Sequence, residues 1–124
     1  MSITKASYIS IDVETAGPNS STYSLLSIGA CTLFDPQETF YVELKPVSEN
    51  QIPEAIKVSG LNWEQLKAAG LPPEDALSQF ADWIDKVTPD SSQPIFVAFN
   101  APFDWMFIND YFHRYFGHNP FGHK

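Results

Sequence analysis

The sequence predicts an α/β fold, a mixed sheet with flanking helices, on three observations. Its N-terminal third holds three segments in which apolar and polar residues alternate, as half-buried strands require. Its middle holds apolar residues at the spacing of an amphipathic helix. Late in the chain, a short unbroken apolar run is followed by the signature of another helix. Hairpin strands followed by helical crossovers imply a mixed sheet with helices packed on it. The chain has 124 residues, a length that suits one domain spanning 1–124, and no linker-like tract divides it.

The first strand is expected over 7–14, with Ile9, Ile11 and Val13 on one face. Residues 15–22 carry Gly, Pro, Asn and Ser and read as a loop. A second strand follows over 24–34, a turn at Asp35-Pro36, and a third strand over 38–44, so that the second and third strands form a hairpin. Asn62 followed by Gln65 resembles a capping box that opens a short helix, which Gly70 closes. Pro72-Pro73 starts a longer helix whose apolar positions are Leu77, Phe80, Ala81 and Ile84. Its acids Glu74, Asp75, Asp82 and Asp85 form the solvated face. The run Pro94–Phe99 suits a strand buried on both faces, as in parallel pairing. Asn100 can cap the last helix, with Pro102 in its first turn, and that helix runs to about Phe116.

Composition narrows the function classes. Hydrophobic residues make up 44%, and 10 Phe, 5 Tyr and 3 Trp argue against disorder. No run of about 18 apolar residues is present, and the N-terminus lacks the apolar stretch of a signal peptide, so no membrane partner and a cytoplasmic location are expected. The single Cys31 sits in an apolar run and reads as a small core hydrophobe. A formal net charge of −8 disfavours binding a polyanion through a basic surface. It leaves open a nuclease in which bound cations meet the phosphate and clustered carboxylates hold the cations.

Such carboxylates are present. Residues two apart on a strand share a side, so Asp12 and Glu14 project together while Val13 enters the core. They lie at the strand's end, where open sheets bind ligands. Two like charges this close require one to take up a proton or both to meet a cation. Oxygen ligands suit Mg²⁺ or Mn²⁺. An exposed strand end bearing two acids would look the same. The segment Asn100-Ala101-Pro102-Phe103-Asp104 adds a third acid just after a buried strand. If the two strands are adjacent, Asp104 approaches the pair; alone, it reads as an acid favoured at a helix start.

Ile11-Asp12-Val13-Glu14-Thr15 with Ser27-Ile28-Gly29-Ala30 resembles the first motif of the DEDD exonuclease superfamily, and Phe99-Asn100-Ala101-Pro102-Phe103-Asp104-Trp105 resembles the second. The superfamily includes ribonuclease T and the proofreading subunit of bacterial DNA polymerase III. The segments 40–46 and 58–61 match in order and spacing, and the resemblance runs from about residue 7 to the end. It implies a ribonuclease-H-like fold and metal-dependent 3′→5′ exonuclease action on single-stranded DNA or RNA ends, releasing nucleoside monophosphates. It also implies two divalent ions, Mg²⁺ or Mn²⁺, clamping the attacking and leaving oxygens. Asp12 would bridge both ions, with Glu14 and Asp104 completing their shells. Thr15, Ala16 and Gly17 would offer backbone contacts to the terminal nucleotide, Phe103 and Leu61 would pack on the last bases, and Asn100 belongs with these substrate contacts. In many relatives the position of Ser59 is a His, so a contact from that loop is not carried over.

The family pattern continues with a His and, after four intervening residues, an Asp, supplying a general base and another metal ligand. Here the last acid is Asp110, the first His is His113, and no His is followed by any Asp. His113, His118 and His123 read as helix-terminal or loop histidines. The sequence therefore resembles a domain shortened at its C-terminus, with weak or absent activity of its own. Its late strand is expected to present an apolar edge that a homodimer or an exchanged segment covers. The alternative is a non-catalytic relative that binds nucleic-acid ends or a protein partner. A glycosidase using Asp12 and Glu14 as acid and base would leave the Asn100–Asp104 segment idle.

Overall fold

The structure, a computed structural model, describes residues 5–122. Four strands form one sheet in the order β3-β2-β1-β4. The strand β1, Lys5–Thr15, is antiparallel to β2, Leu25–Thr32, and parallel to β4, Ser92–Val97, while β3, Thr39–Glu43, pairs antiparallel with β2. The architecture is the expected mixed sheet with flanking helices. The strand β1 lies inside the sheet: Ile9, Ile11 and Val13 make one face apolar, β2 pairs with it over residues 9–15 and β4 over residues 5–10.

The helices are α1, Pro53–Ser59; α2, Trp63–Ala69; α3, Pro73–Val87; and α4, Ala101–Tyr115. Ile9, Ile11 and Val13 meet Ile28, Ala30 and Val42 and the apolar faces of α3 and α4 in one core. The α3 pattern holds: Leu77, Phe80, Ala81 and Ile84 are buried and the four acids are exposed. At α2 the Asn62 side chain accepts from the Gln65 N–H at 2.9 Å. Gly70 ends that helix in extended rather than left-handed backbone. It is small there because a Cβ would stand 2.6 Å from the Leu66 carbonyl oxygen and from the Lys45 backbone nitrogen.

Three expectations change. The helix α1 was not legible: it has no buried residue, so no apolar period marks it. The run read as a strand buried on both faces is instead, among the described residues, an edge strand that ends at Val97 and is half-buried along most of its length. Its core-facing residue is Phe96, packed edge-on against Trp105 and Phe121. Asn100 stands at the start of α4, but its side chain makes no capping hydrogen bond.

Tyr111 ties α4 to the start of β2. Its hydroxyl accepts from the Leu25 N–H at 2.9 Å, and both residues are fully buried. Burial raises the phenol to about 12, so the ring stays neutral. Tyr111→Phe strands a buried N–H, which costs about 1–3 kcal/mol. Urea unfolding should show that loss; an unchanged midpoint would mean that water replaces the hydroxyl.

Candidate metal centre

The sheet register builds the site. Asp12 pairs with Gly29, which pairs with Tyr41; Glu14 pairs with Ser27, which pairs with Glu43. These residues share the face opposite the core. The parallel pairing of β1 with β4 delivers the following helix to β1: Asp104, in the first turn of α4, accepts a hydrogen bond from the Val13 N–H at 3.2 Å. Its carboxyl therefore arrives between the residues that carry the other two acids. Asp104 is buried, Glu14 half-buried and Asp12 exposed.

The electrostatics agree with that convergence. Burial first, then the charges of Asp12 and Asp104, push the Glu14 carboxyl above its ordinary range. Burial also pushes Asp104 up, the Val13 N–H opposes this, and the charge of Asp12 adds to it. Burial and the neighbouring negative charges disfavour the ionised forms, and a cation would offset both. Among the described residues, no group of three His, Cys, Asp or Glu side chains stands close enough together to hold a metal ion by itself. An open set of carboxylates suits Mg²⁺ or Mn²⁺, which keep water and phosphate oxygens in the rest of their shell. All the candidate donors are hard oxygens, the donor type that such an ion prefers.

The other candidates separate. Thr15 and Ala16 are buried, and both backbone groups of Ala16 are engaged inside the fold, the N–H by Ser24 at 2.9 Å and the carbonyl by Ile52 at 2.8 Å. The Gly17 carbonyl accepts from the Thr15 hydroxyl at 2.8 Å. Gly17 must be glycine, because a Cβ would lie 2.3 Å from the Tyr23 ring. These residues shape the loop beyond β1. Phe103 is half-buried against Phe107, with ring centroids 5.3 Å apart. Leu61 packs in a separate cluster around Trp63 and Leu66. Asn100 is exposed. The Ser59 hydroxyl is bonded within its own turn, to the Ile56 carbonyl and the Leu61 N–H. His113 and His118 are exposed at or beyond the end of α4, and the His118 ring lies 5.0 Å from that of Phe116. His123 lies outside the described residues.

The sequence reading passed over Tyr41, Ser27 and Glu43. The Tyr41 hydroxyl donates to Glu43 Oε2 at 2.7 Å. Burial, then the hydrogen bond to Glu43 and its charge, push the phenol to about 12, and the charge of Glu14 adds to this. Alternation on β3 combined with hairpin register was the available signal. A cleft of about 470 Å³ lies elsewhere, between the end of α3, the start of β4 and residues 116–120, and contains none of the three acids.

Residues 7–123 match the family described as the Rv2179c-like 3′-5′ exoribonuclease domain. The chain is 52% identical over 118 residues to the 3′-5′ DNA exonuclease Cap18 of Escherichia coli, covering 95% of this chain and 63% of that one. It is 36% identical over 107 residues to Ribonuclease T of Klebsiella pneumoniae, covering 78% of this chain and 50% of that one. The fold superposes on E. coli exonuclease I in complex with a dT13 oligonucleotide with a TM-score of 0.76 at 17% identity, over 94% of this chain and 25% of that one. The chain thus spans between half and two thirds of the length of these two curated relatives. It belongs to the Rv2179c-like family of 3′-5′ exonucleases.

Proposed function

From that membership we propose that the chain carries the acidic half of a divalent-metal-dependent 3′→5′ exonuclease centre acting on single-stranded nucleic-acid ends, with nucleoside monophosphates as products. Asp12, Glu14 and Asp104 are the residues that hold Mg²⁺ or Mn²⁺. The observation that carries the reading is the Val13 N–H bond to Asp104, which locks a third carboxyl beside the Asp12–Glu14 pair. When bound, the ions supply Lewis acidity and a nucleophilic water for phosphodiester hydrolysis. The protein's part is to hold the carboxylates close together before any ligand arrives. The Val13 N–H fixes one Asp104 oxygen, and the β1–β2 ladder fixes the backbone of Asp12 and Glu14. Burial of Asp104 and the partial burial of Glu14 lower the local dielectric, which strengthens their grip on a cation.

A second reading is a module that binds nucleic-acid ends without cutting them. The 124 residues hold no His followed by an Asp to provide the base and the further ligand. Turnover by this chain alone is accordingly expected to be weak or absent. The test is shortening of 5′-labelled single-stranded DNA and RNA with Mg²⁺ or Mn²⁺. Ladder-like products that disappear in Asp12→Ala support the enzyme. End binding without shortening supports the module, and neither behaviour sinks both readings. The outer edge of β4 is unpaired among the described residues. A homodimer through that edge is the partner arrangement we propose, and a monomer by light scattering at working concentration would exclude it.

A further inference from the structure

We propose that Tyr41 and Phe99 are base-stacking residues that set how tightly the nucleotides nearest the carboxylates are held; the inference rests on the exonuclease reading above. Exposed aromatics are few among the described residues, and these two flank the acids. Phe99 is 100% exposed and Tyr41 60% exposed. Alternation places Tyr41 on the carboxylate face, and Phe99 stands in the turn between the end of β4 and α4, five residues before Asp104. Val97 pairs with Ser10, on the same side of the sheet as Asp12, and Phe99 follows two residues later. Tyr41 lies in the row Asp12–Gly29–Tyr41. The sheet order sets the end of β4, which leads into Phe99, one strand from β1 on one side and Tyr41 two strands away on the other. At about 4.8 Å per strand, Tyr41 stands about 10 Å from the Asp12 backbone.

Gly29 leaves the floor between Asp12 and Tyr41 without a side chain; a Cβ there would be 4.0 Å from the Tyr41 ring. The ring is also held in orientation, because its hydroxyl donates to Glu43. A fixed, exposed ring costs little further entropy on stacking. The charge pattern explains why stacking should matter here. At a net charge of −8, the chain cannot hold a strand through broad phosphate contacts. Affinity beyond the metal-bound phosphate must come from the uncharged base faces, which stack on aromatic rings in a sequence-tolerant way. This differs from the expected Phe103 and Leu61 contacts, whose side chains are already half-buried in the protein.

The test is a cycle between ring and base. Affinity of the full 124-residue chain for a fluorescein-labelled single-stranded oligonucleotide is measured by anisotropy, with Ca²⁺ replacing Mg²⁺. Wild type, Phe99→Ala, Tyr41→Ala and Tyr41→Phe are each paired with the intact oligonucleotide and with versions abasic at the terminal or penultimate position. Each Ala variant should weaken binding of the intact strand about 5- to 100-fold. Tyr41→Phe, which keeps the ring and loses only its tether to Glu43, should weaken it far less. With the matching base removed, the Ala variant should bind as wild type does. An equal loss on intact and abasic strands, or no loss on either, overturns the stacking proposal while leaving the exonuclease reading intact. Failure of wild type to bind any strand overturns both.

Discussion

Phe80→Ala is expected to cost about 3–5 kcal/mol of folding stability. Phe80 is fully buried on α3 and has no exposed edge that could relax into solvent. Its ring centroid lies 5.1 Å from Phe40, 5.6 Å from Phe112, 6.2 Å from Trp83 and 6.3 Å from Phe121. One side chain therefore joins β3, α3, α4 and the segment after α4. Truncation removes the transfer energy of the ring and leaves a cavity whose walls are rigid aromatics, which collapse poorly. Against a typical total of about 5–15 kcal/mol, the loss is large enough to unfold much of the population at 37 °C. Urea unfolding should show a lower midpoint at unchanged slope. Asp82→Ala, on the exposed face of the same helix, should stay within about 0.5 kcal/mol. A Phe80→Ala loss below about 1 kcal/mol would mean that the aromatic cluster is not the centre of the core.

The same residue shows what was legible in the sequence. Spacing alone placed Phe80 on the buried face of α3, because a 3.6-residue period is a local property. What it packs against is not local. Phe121 follows Gly117, Asn119 and Pro120, which read as a loop, yet its ring is fully buried. It is held by its own N–H on Asn119 Oδ1 at 2.9 Å. Likewise, an unbroken apolar run cannot say how deeply its faces are covered, so the strand ending at Val97 was read as buried on both faces although it is half-buried along most of its length. The acids fared better. Two-residue alternation puts Asp12 and Glu14 on one face in any strand, and parallel pairing of β1 with β4 was enough to bring Asp104 to them. Tyr41 and Glu43 were missed because they join the site only through hairpin register, which no spacing along the chain reveals.

Asp12→Asn is expected to remove function while easing a strain on the metal-free fold. Asp12 is the exposed member of the trio and needs no protein partner, so the change leaves packing untouched. Whatever cleavage the chain shows, loss of a ligand that stabilises transition-state charge by several kcal/mol should lower its rate by about a thousandfold or more. Stability should move the other way. Glu14 and Asp104 have folded-state pKa values raised above the ordinary 4.5 and 3.8. The folded state therefore binds more protons than the unfolded one just above those values. The stability these groups contribute is fully present below about pH 4 and is lost as pH rises through their folded values. Without metal, the wild type should lose stability over that climb. In Asp12→Asn the loss should shrink, since one charge that raises both groups is gone, but it should not vanish, because burial is the larger cause at each. Mg²⁺ competes with protons for the same oxygens. At about a hundredfold excess over its Kd it should add about 2.7 kcal/mol to the wild type at neutral pH. It should add little at acid pH, and little to Asp12→Asn at any pH. Urea unfolding at several pH values, with EDTA or Mg²⁺, separates these cases. A Mg²⁺ effect of equal size in wild type and Asp12→Asn would place the ion somewhere other than these carboxylates.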